Sequence, residues 1–341
     1  MTVPRVRRVA VVLGLVALVA VPHVGDAFQV TLVVRGLVWA TLAASVWFLL
    51  RICDLPSLGH AAFFGIGAYT AGLAVTRWQV DNVFAALGLA IVVTAVLSLP
   101  IAVIAGRLRN MQFILVTLAF AEMTRSLATR WAELGGTDGL VGVIRPGAWP
   151  FGLDLSDATT YYYFALAVLL AGVALLVVVV RSPFGAVLRG IRDSEQRVAA
   201  LGYNPLVYRV AAFVLSAVVA GSAGVVHTYL NRFANPTDVA PLVSARALLI
   251  VVLGGAAIAG PVTVAILLTI IEDALSSHTD RWLGVLGALY VVVALANGAW
   301  NPAAWRRALV RRRGGATPAT HAADDAPPPP ARRAATLERT T

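Results

Sequence analysis

Ten apolar runs account for most of this chain and decide what it can become: residues 9–23, 28–50, 58–76, 83–105, 111–130, 161–180, 210–230, 242–256, 259–276 and 283–301. A helix that crosses a bilayer needs about 20 mostly apolar residues. Within lipid, only helices and closed barrels satisfy their own backbone polar groups. The runs lack the in-out alternation over about 10 residues that marks a barrel strand. The 341 residues are 59% hydrophobic and only 13% charged, against about 25% charged in soluble domains. The expected fold is an all-α polytopic membrane protein with about ten transmembrane helices.

Arginine placement orients the runs. Every one of the 27 basic side chains is Arg. Arg5, Arg7 and Arg8 precede the first run and put the N-terminus in the cytoplasm. Alternation then brings Arg51, Arg107, Arg109, Arg181, Arg189, Arg192, Arg197, Arg209 and the Arg306–Arg313 cluster to that same side. The opposite side receives only Arg77, Arg130, Arg145, Arg232, Arg246 and Arg281. An even number of runs also returns the C-terminus to the cytoplasm. The first run follows RVRR, as a signal peptide would, but Pro22-His23 stands where a small-residue cleavage site would lie. It is expected to be retained. The net charge of +10 fits arginines that flank spans and meet anionic lipids, not nucleic acid. Residues 1–305 read as one transmembrane domain. Residues 306–341 read as a basic cytoplasmic tail, low in complexity and largely disordered.

Several chemistries are excluded. Without Lys there is no Walker A lysine and no Schiff-base residue. The single Cys53 permits no internal disulfide, and His23, His60, His227, His278 and His321 show no HExxH spacing. No catalytic residue, cofactor site or metal site is expected.

Polar islands carry the functional expectations. RSPFGAVLRGIRDSEQRVAALGYN, Arg181–Asn204, separates two membrane-length runs. Ser182 can cap a helix, Pro183 suits its first position and Gly202 its end. Val187, Leu188, Ile191, Val198 and Leu201 recur at helical spacing on one side. The mixed charges opposite them suit a protein groove better than lipid. The cytoplasmic loop 181–209 is therefore expected to carry an amphipathic helix that touches a soluble partner. The outer loop 131–160 contains LGGTDGLVGV, Leu134–Val143, read as a structured turn that meets an extracytoplasmic partner.

Two segments, Leu55–Gly72 and Leu253–Pro261, are rich in Gly with a nearby Pro. Broken helices at membrane depth line cavities in transporters. One lies in each half of the chain, which suggests two inverted five-helix halves. Glu122 and Arg125 stand at i, i+3 on one helix face, and ionisable residues within spans mark pathways. The pathway candidates are His60, Gly65, Glu122, Arg125, Gly254 and Gly255, with Arg35 a similar case. Glu272-Asp273 is expected to be solvated near the outer interface.

The chain resembles the LivM-type permease of branched-chain amino-acid ABC importers over roughly residues 30–300. The likeness rests on six stretches in the family's order: Ser57–Ala71, Thr117–Met123, Gly135–Leu140, Arg181–Asn204, Ala212–Gly224 and Val251–Pro261. Two positions depart from the family pattern, Ala257-Ile258 and Pro302-Ala303-Ala304. The resemblance implies a subunit in a bacterial plasma (inner) membrane that pairs with a second related permease. Two cytoplasmic ABC ATPases would hydrolyse ATP, and an extracytoplasmic substrate-binding protein would deliver the substrate. It also implies that Arg181–Asn204 is the ATPase-coupling element, with Phe184, Gly185, Leu188, Arg189, Ile191, Arg192, Glu195 and Gly202 as its key positions. The implied cargo is a branched-chain or other hydrophobic amino acid. Urea or short amides are the alternative within the family. An ATP-independent secondary carrier would need mid-span carboxylates, for which Glu122 is nearly the only candidate.

Overall fold

The structure, a computed structural model, describes residues 3–147, 152, 154–278 and 281–294. The chain folds into α1 (Val3–Val24), α2 (Ala27–Trp47), α3 (His60–Thr76), α4 (Val83–Ala105), α5 (Asn110–Arg130) and α6 (Ala158–Arg181). Two short helices follow, α7 (Pro183–Asp193) and α8 (Glu195–Ala200). Then come α9 (Pro205–Asn231), α10 (Pro241–Gly254), α11 (Ala259–Ser276) and α12 (Trp282–Ala294). The described residues contain no strand, only the isolated bridges Asn82–Gly147 and Leu140–Ala234. Each predicted apolar run coincides with a helix. Five stretches are long and apolar enough to cross a bilayer: Ala27–Ile52, α4, α6, α9 and α11. The expected tail, 306–341, and the end of the last run lie outside the described residues.

Local chemistry explains the starts. Asn82 accepts from the Phe84 amide at 2.9 Å, Asp157 from Thr160 at 2.8 Å and Asn204 from Leu206 at 3.1 Å. These side chains satisfy amides that a first helical turn leaves free.

Burial separates a centre from a rim. The apolar stretches of α2 and α9 are 83% and 67% buried, those of α4 and α6 only 22% and 28%. Helices apolar all round therefore stand either in the middle or against lipid. The packing partners exchange between the halves of the chain. α2 packs on α9 and α11, while α9 packs on α2 and α4. α3 lies against α9 and α4, and α10 against α2 and α11.

The breaks fall at matching places, but not where the glycines alone suggest. After α2 a π turn, Phe48–Ile52, leads to Asp54 (φ 56°), and Cys53–Gly59 is non-helical. After α9 the chain turns at Arg232 (φ 60°), and a 3₁₀ turn at Pro236–Val239 precedes α10. The first segment runs inside the bundle, where the Leu58 amide donates to Thr117 Oγ1 at 3.2 Å, about 10 Å along α5 from Asn110. The two helices that follow meet end to end: the Ala61 amide donates to Ser244 Oγ at 2.7 Å.

The break expected at Leu253–Pro261 is instead the turn between α10 and α11. Trp47 Nε1 donates to Ala256 O there at 3.1 Å. In the first half only residues 55–59 of the predicted segment are irregular; α3 runs unbroken through Gly65, Gly67 and Gly72. Those glycines face neighbouring elements and serve packing.

Candidate functional site

One end of the bundle carries α7 and α8. Ser182 caps α7 by accepting from the Gly185 amide at 3.4 Å, with Pro183 at the first position. The expected single helix is two helices, because Ser194 is extended (φ −163°) and stops α7. Gly202 takes φ +88°, the left-handed value that ends the second. Val198 faces inward as expected, but Leu201, just past the end of α8, is 75% exposed.

The motif residues face the bundle. Leu188 and Ile191 are 1% and 4% exposed. A Cβ on Gly185 would lie 2.5 Å from both Val179 O and Val180 O, so the α6–α7 corner admits no side chain there. Arg189 Nη1 donates to Val180 O at 2.7 Å, and Arg192 Nη1 donates to Arg51 O. Phe184 stacks on Tyr208 with ring centroids 5.2 Å apart. Glu195 is held by two guanidiniums, Arg109 before α5 and Arg209 on α9. It thereby ties the loop to two other elements. The outward surface is made by residues that the sequence reading did not single out: Tyr203 and Val207, 45% and 59% exposed, beside Leu201. They fall in the turn after α8 and on the first turn of α9, so no single periodic stripe could be found.

At the opposite end a groove of about 480 Å³ opens between α5, the Pro236–Val239 turn and the start of α10. Glu122, Arg125 and Thr129 line it from α5, Thr137 from the 131–157 loop, Thr237 from the turn and Leu242 from α10. Arg125 Nε donates to Glu122 Oε2 at 2.8 Å, and both side chains remain nearly half exposed, 43% and 47%. Thr137 of the LGGTDGLVGV stretch thus stands on one wall of the groove. Leu140 pairs with Ala234, its amide donating to Ala234 O at 2.8 Å. Farther along that loop, Arg145 Nε donates to Tyr229 O at 2.8 Å, and the guanidinium lies 4.0 Å over the Tyr161 ring. Burial lowers the Arg145 pKa from its ordinary value, partly offset by Tyr161, while Arg232 lowers it further.

The other pathway candidates are dispersed. His60 is fully buried; its Nε2 lies 2.8 Å from Ser216 Oγ, which donates to Ser45 O at 2.8 Å. Gly65 sits behind the groove against Val239. Gly254 and Gly255 lie in the α10–α11 turn, and Arg35 is exposed. Glu272 corrects the expectation of a solvated carboxylate: it pairs with Arg246, with its side chain only 14% exposed. The Arg246 guanidinium also stands 3.9 Å over the Trp39 ring. Nothing local joins positions 39, 246 and 272, so only folding brings them together. Among the described residues no three His, Cys, Asp or Glu side chains could hold a metal ion together.

A helical bundle with apolar rim helices, paired helix breaks in its core and a polar groove at one end defines a multi-pass membrane protein of the permease class. The family described as branched-chain amino acid transport system / permease component matches residues 29–295, and the chain belongs to it. Among curated proteins it is similar to the high-affinity branched-chain amino acid transport system permease protein LivM of Salmonella typhimurium. The two are 28% identical over 312 residues, spanning 84% of this chain and 72% of the relative. The protein of that name from Escherichia coli is likewise 28% identical, with the same coverage. No solved structure matches the chain.

Proposed function

We propose that this permease carries branched-chain or other hydrophobic amino acids inward across a bacterial plasma membrane, driven by two separate cytoplasmic ABC ATPases. In this reading it binds no cofactor itself, and its partner subunits hydrolyse ATP. A second related permease completes the pathway, and an extracytoplasmic binding protein delivers the substrate. The α7 end faces the cytoplasm with both termini, the groove faces outward, and anionic lipids meet the flanking arginines. The ten helical runs form two inverted halves, since a five-span repeat necessarily reverses direction.

The Glu195 clamp is the observation that carries this reading. A surface helix that only rested on lipid would not need a carboxylate held by Arg109 and Arg209. A helix that transmits force must be fixed to the elements it moves. The family motif residues make that attachment, and Leu201, Tyr203 and Val207 supply the apolar surface for an ATPase groove.

The test is to purify the tagged chain in mild detergent, identify what co-purifies, and measure ATP-dependent uptake of labelled leucine, isoleucine, valine and urea in proteoliposomes. Co-purification of an ABC ATPase with uptake of the three amino acids is expected. Gly185→Arg and Glu195→Arg should abolish uptake while the spans still insert. Gradient-driven uptake by this chain alone would overturn the ATPase drive, and uptake of urea instead would overturn the substrate class.

A further inference from the structure

The groove holds one carboxylate and one guanidinium that are only partly used by each other. Arg125 spends its Nε on Glu122 Oε2. Its two Nη groups and the Glu122 Oε1 take part in none of the hydrogen bonds recorded for this pair. Glu122 lies about 12 Å along α5 from Arg130. The pair stands at nearly half exposure in an open groove of about 480 Å³, within reach of a small ligand. Small-molecule sites measure about 300–1,000 Å³.

We propose that Glu122 and Arg125 bind the zwitterionic head group of the transported amino acid. This deepens the function proposed above and rests on it. The free Nη fork of Arg125 matches a carboxylate in the two-point geometry that guanidinium favours. The free oxygen of Glu122 accepts from the α-ammonium. The groove pair is neutral in sum, as a zwitterion is, so an aliphatic amino acid enters without stranding a charge. Leu242, 78% exposed at the mouth, offers an apolar contact to the aliphatic side chain. Thr129 and Thr237 add neutral hydroxyl groups to the wall. Urea carries neither charge and would leave the pair unused.

The assembled transporter, reconstituted with its co-purifying subunits and binding protein, tests the assignment. Glu122→Gln and Arg125→Gln should each lower ATP-driven leucine uptake by about tenfold or more, the loss expected for one charge-assisted hydrogen bond. Arg125→Lys, which keeps the charge and loses the fork, should fall between. The neutral double variant Glu122→Gln/Arg125→Gln decides between roles. A head-group site leaves it at least as impaired as either single variant. A purely structural pair is relieved when both charges go, so wild-type uptake by the double variant would overturn the proposal. Loss of co-purifying subunits in the single variants would also overturn it, by assigning the pair to a subunit contact. A wild-type transporter that takes up no leucine with ATP would instead defeat the function proposed above.

Discussion

Gly67 on α3 lies directly against the backbone of Gly221 on α9: a Cβ on Gly67 would stand 2.0 Å from the Gly221 carbonyl oxygen. Between apolar helices in lipid, close backbone approach supplies the packing that a hydrophobic driving force supplies in water. The same crossing is repeated one turn on, where a Cβ on Gly224 would lie 1.9 Å from Phe64 O. Gly67→Ala should therefore destabilise the bundle by at least about 1–3 kcal/mol, the usual cost of overpacking. Gly88→Ala on the rim helix α4, with nothing within 4 Å, should be neutral or stabilising. Thermal unfolding in detergent separates the two.

Gly65 makes room for the turn that forms the groove's inner wall. A Cβ there would meet Val239 Cγ2 at 2.3 Å. Gly65→Ala is expected to push the Pro236–Val239 turn toward the groove and reduce leucine uptake. Val239→Ala in the same chain should restore it in part, because the clash is with a side chain and not with backbone. Uptake by the single and double variants measures this.

The Arg246–Glu272 pair joins α10 to α11, and Tyr290 on α12 donates to Glu272 Oε1 at 3.4 Å. Glu272→Gln leaves the guanidinium without its counter-charge. The expected cost is about 1–3 kcal/mol in unfolding experiments. Arg246→Met/Glu272→Leu should cost less than either single change, since removing both charges also removes their desolvation. A double variant less stable than both singles would contradict this.

Asp157 caps α6 by accepting from the Thr160 amide at 2.8 Å and the Thr160 hydroxyl at 3.0 Å. Those bonds hold its carboxyl below the ordinary aspartate value of 3.8. A carboxylate with a depressed folded-state pKa contributes stability above its unfolded value and loses it as pH falls through the folded value. Asp157→Ala should thus be less stable than the parent at neutral pH. The difference should close only below pH 3.8. Melting temperatures of both proteins across that range provide the check.

The helices were legible before any folding. Apolar runs of membrane length, the Ser182 cap and the stop at Gly202 are written in adjacent residues, and a helix closes its hydrogen bonds within a few positions of itself. The Glu122–Arg125 pair was legible for the same reason, being one turn apart on α5. The break in the second half was not. Gly254 and Gly255 advertise one, yet the irregular segment that packs on α3 is 232–240, where Val239 stands against Gly65.

Sequence alone therefore determined that this chain lies in a membrane as helices, and which family it resembles, because partition into lipid depends on the composition of each segment by itself. Tertiary structure alone decided that Glu195 is held between Arg109 and Arg209, that Leu201 points away from the bundle, and that Thr137, Thr237 and Leu242 share one groove with the α5 pair. Those relations join residues far apart in the chain. They exist only once the helices have packed, since no local propensity records which distant backbone a glycine will admit.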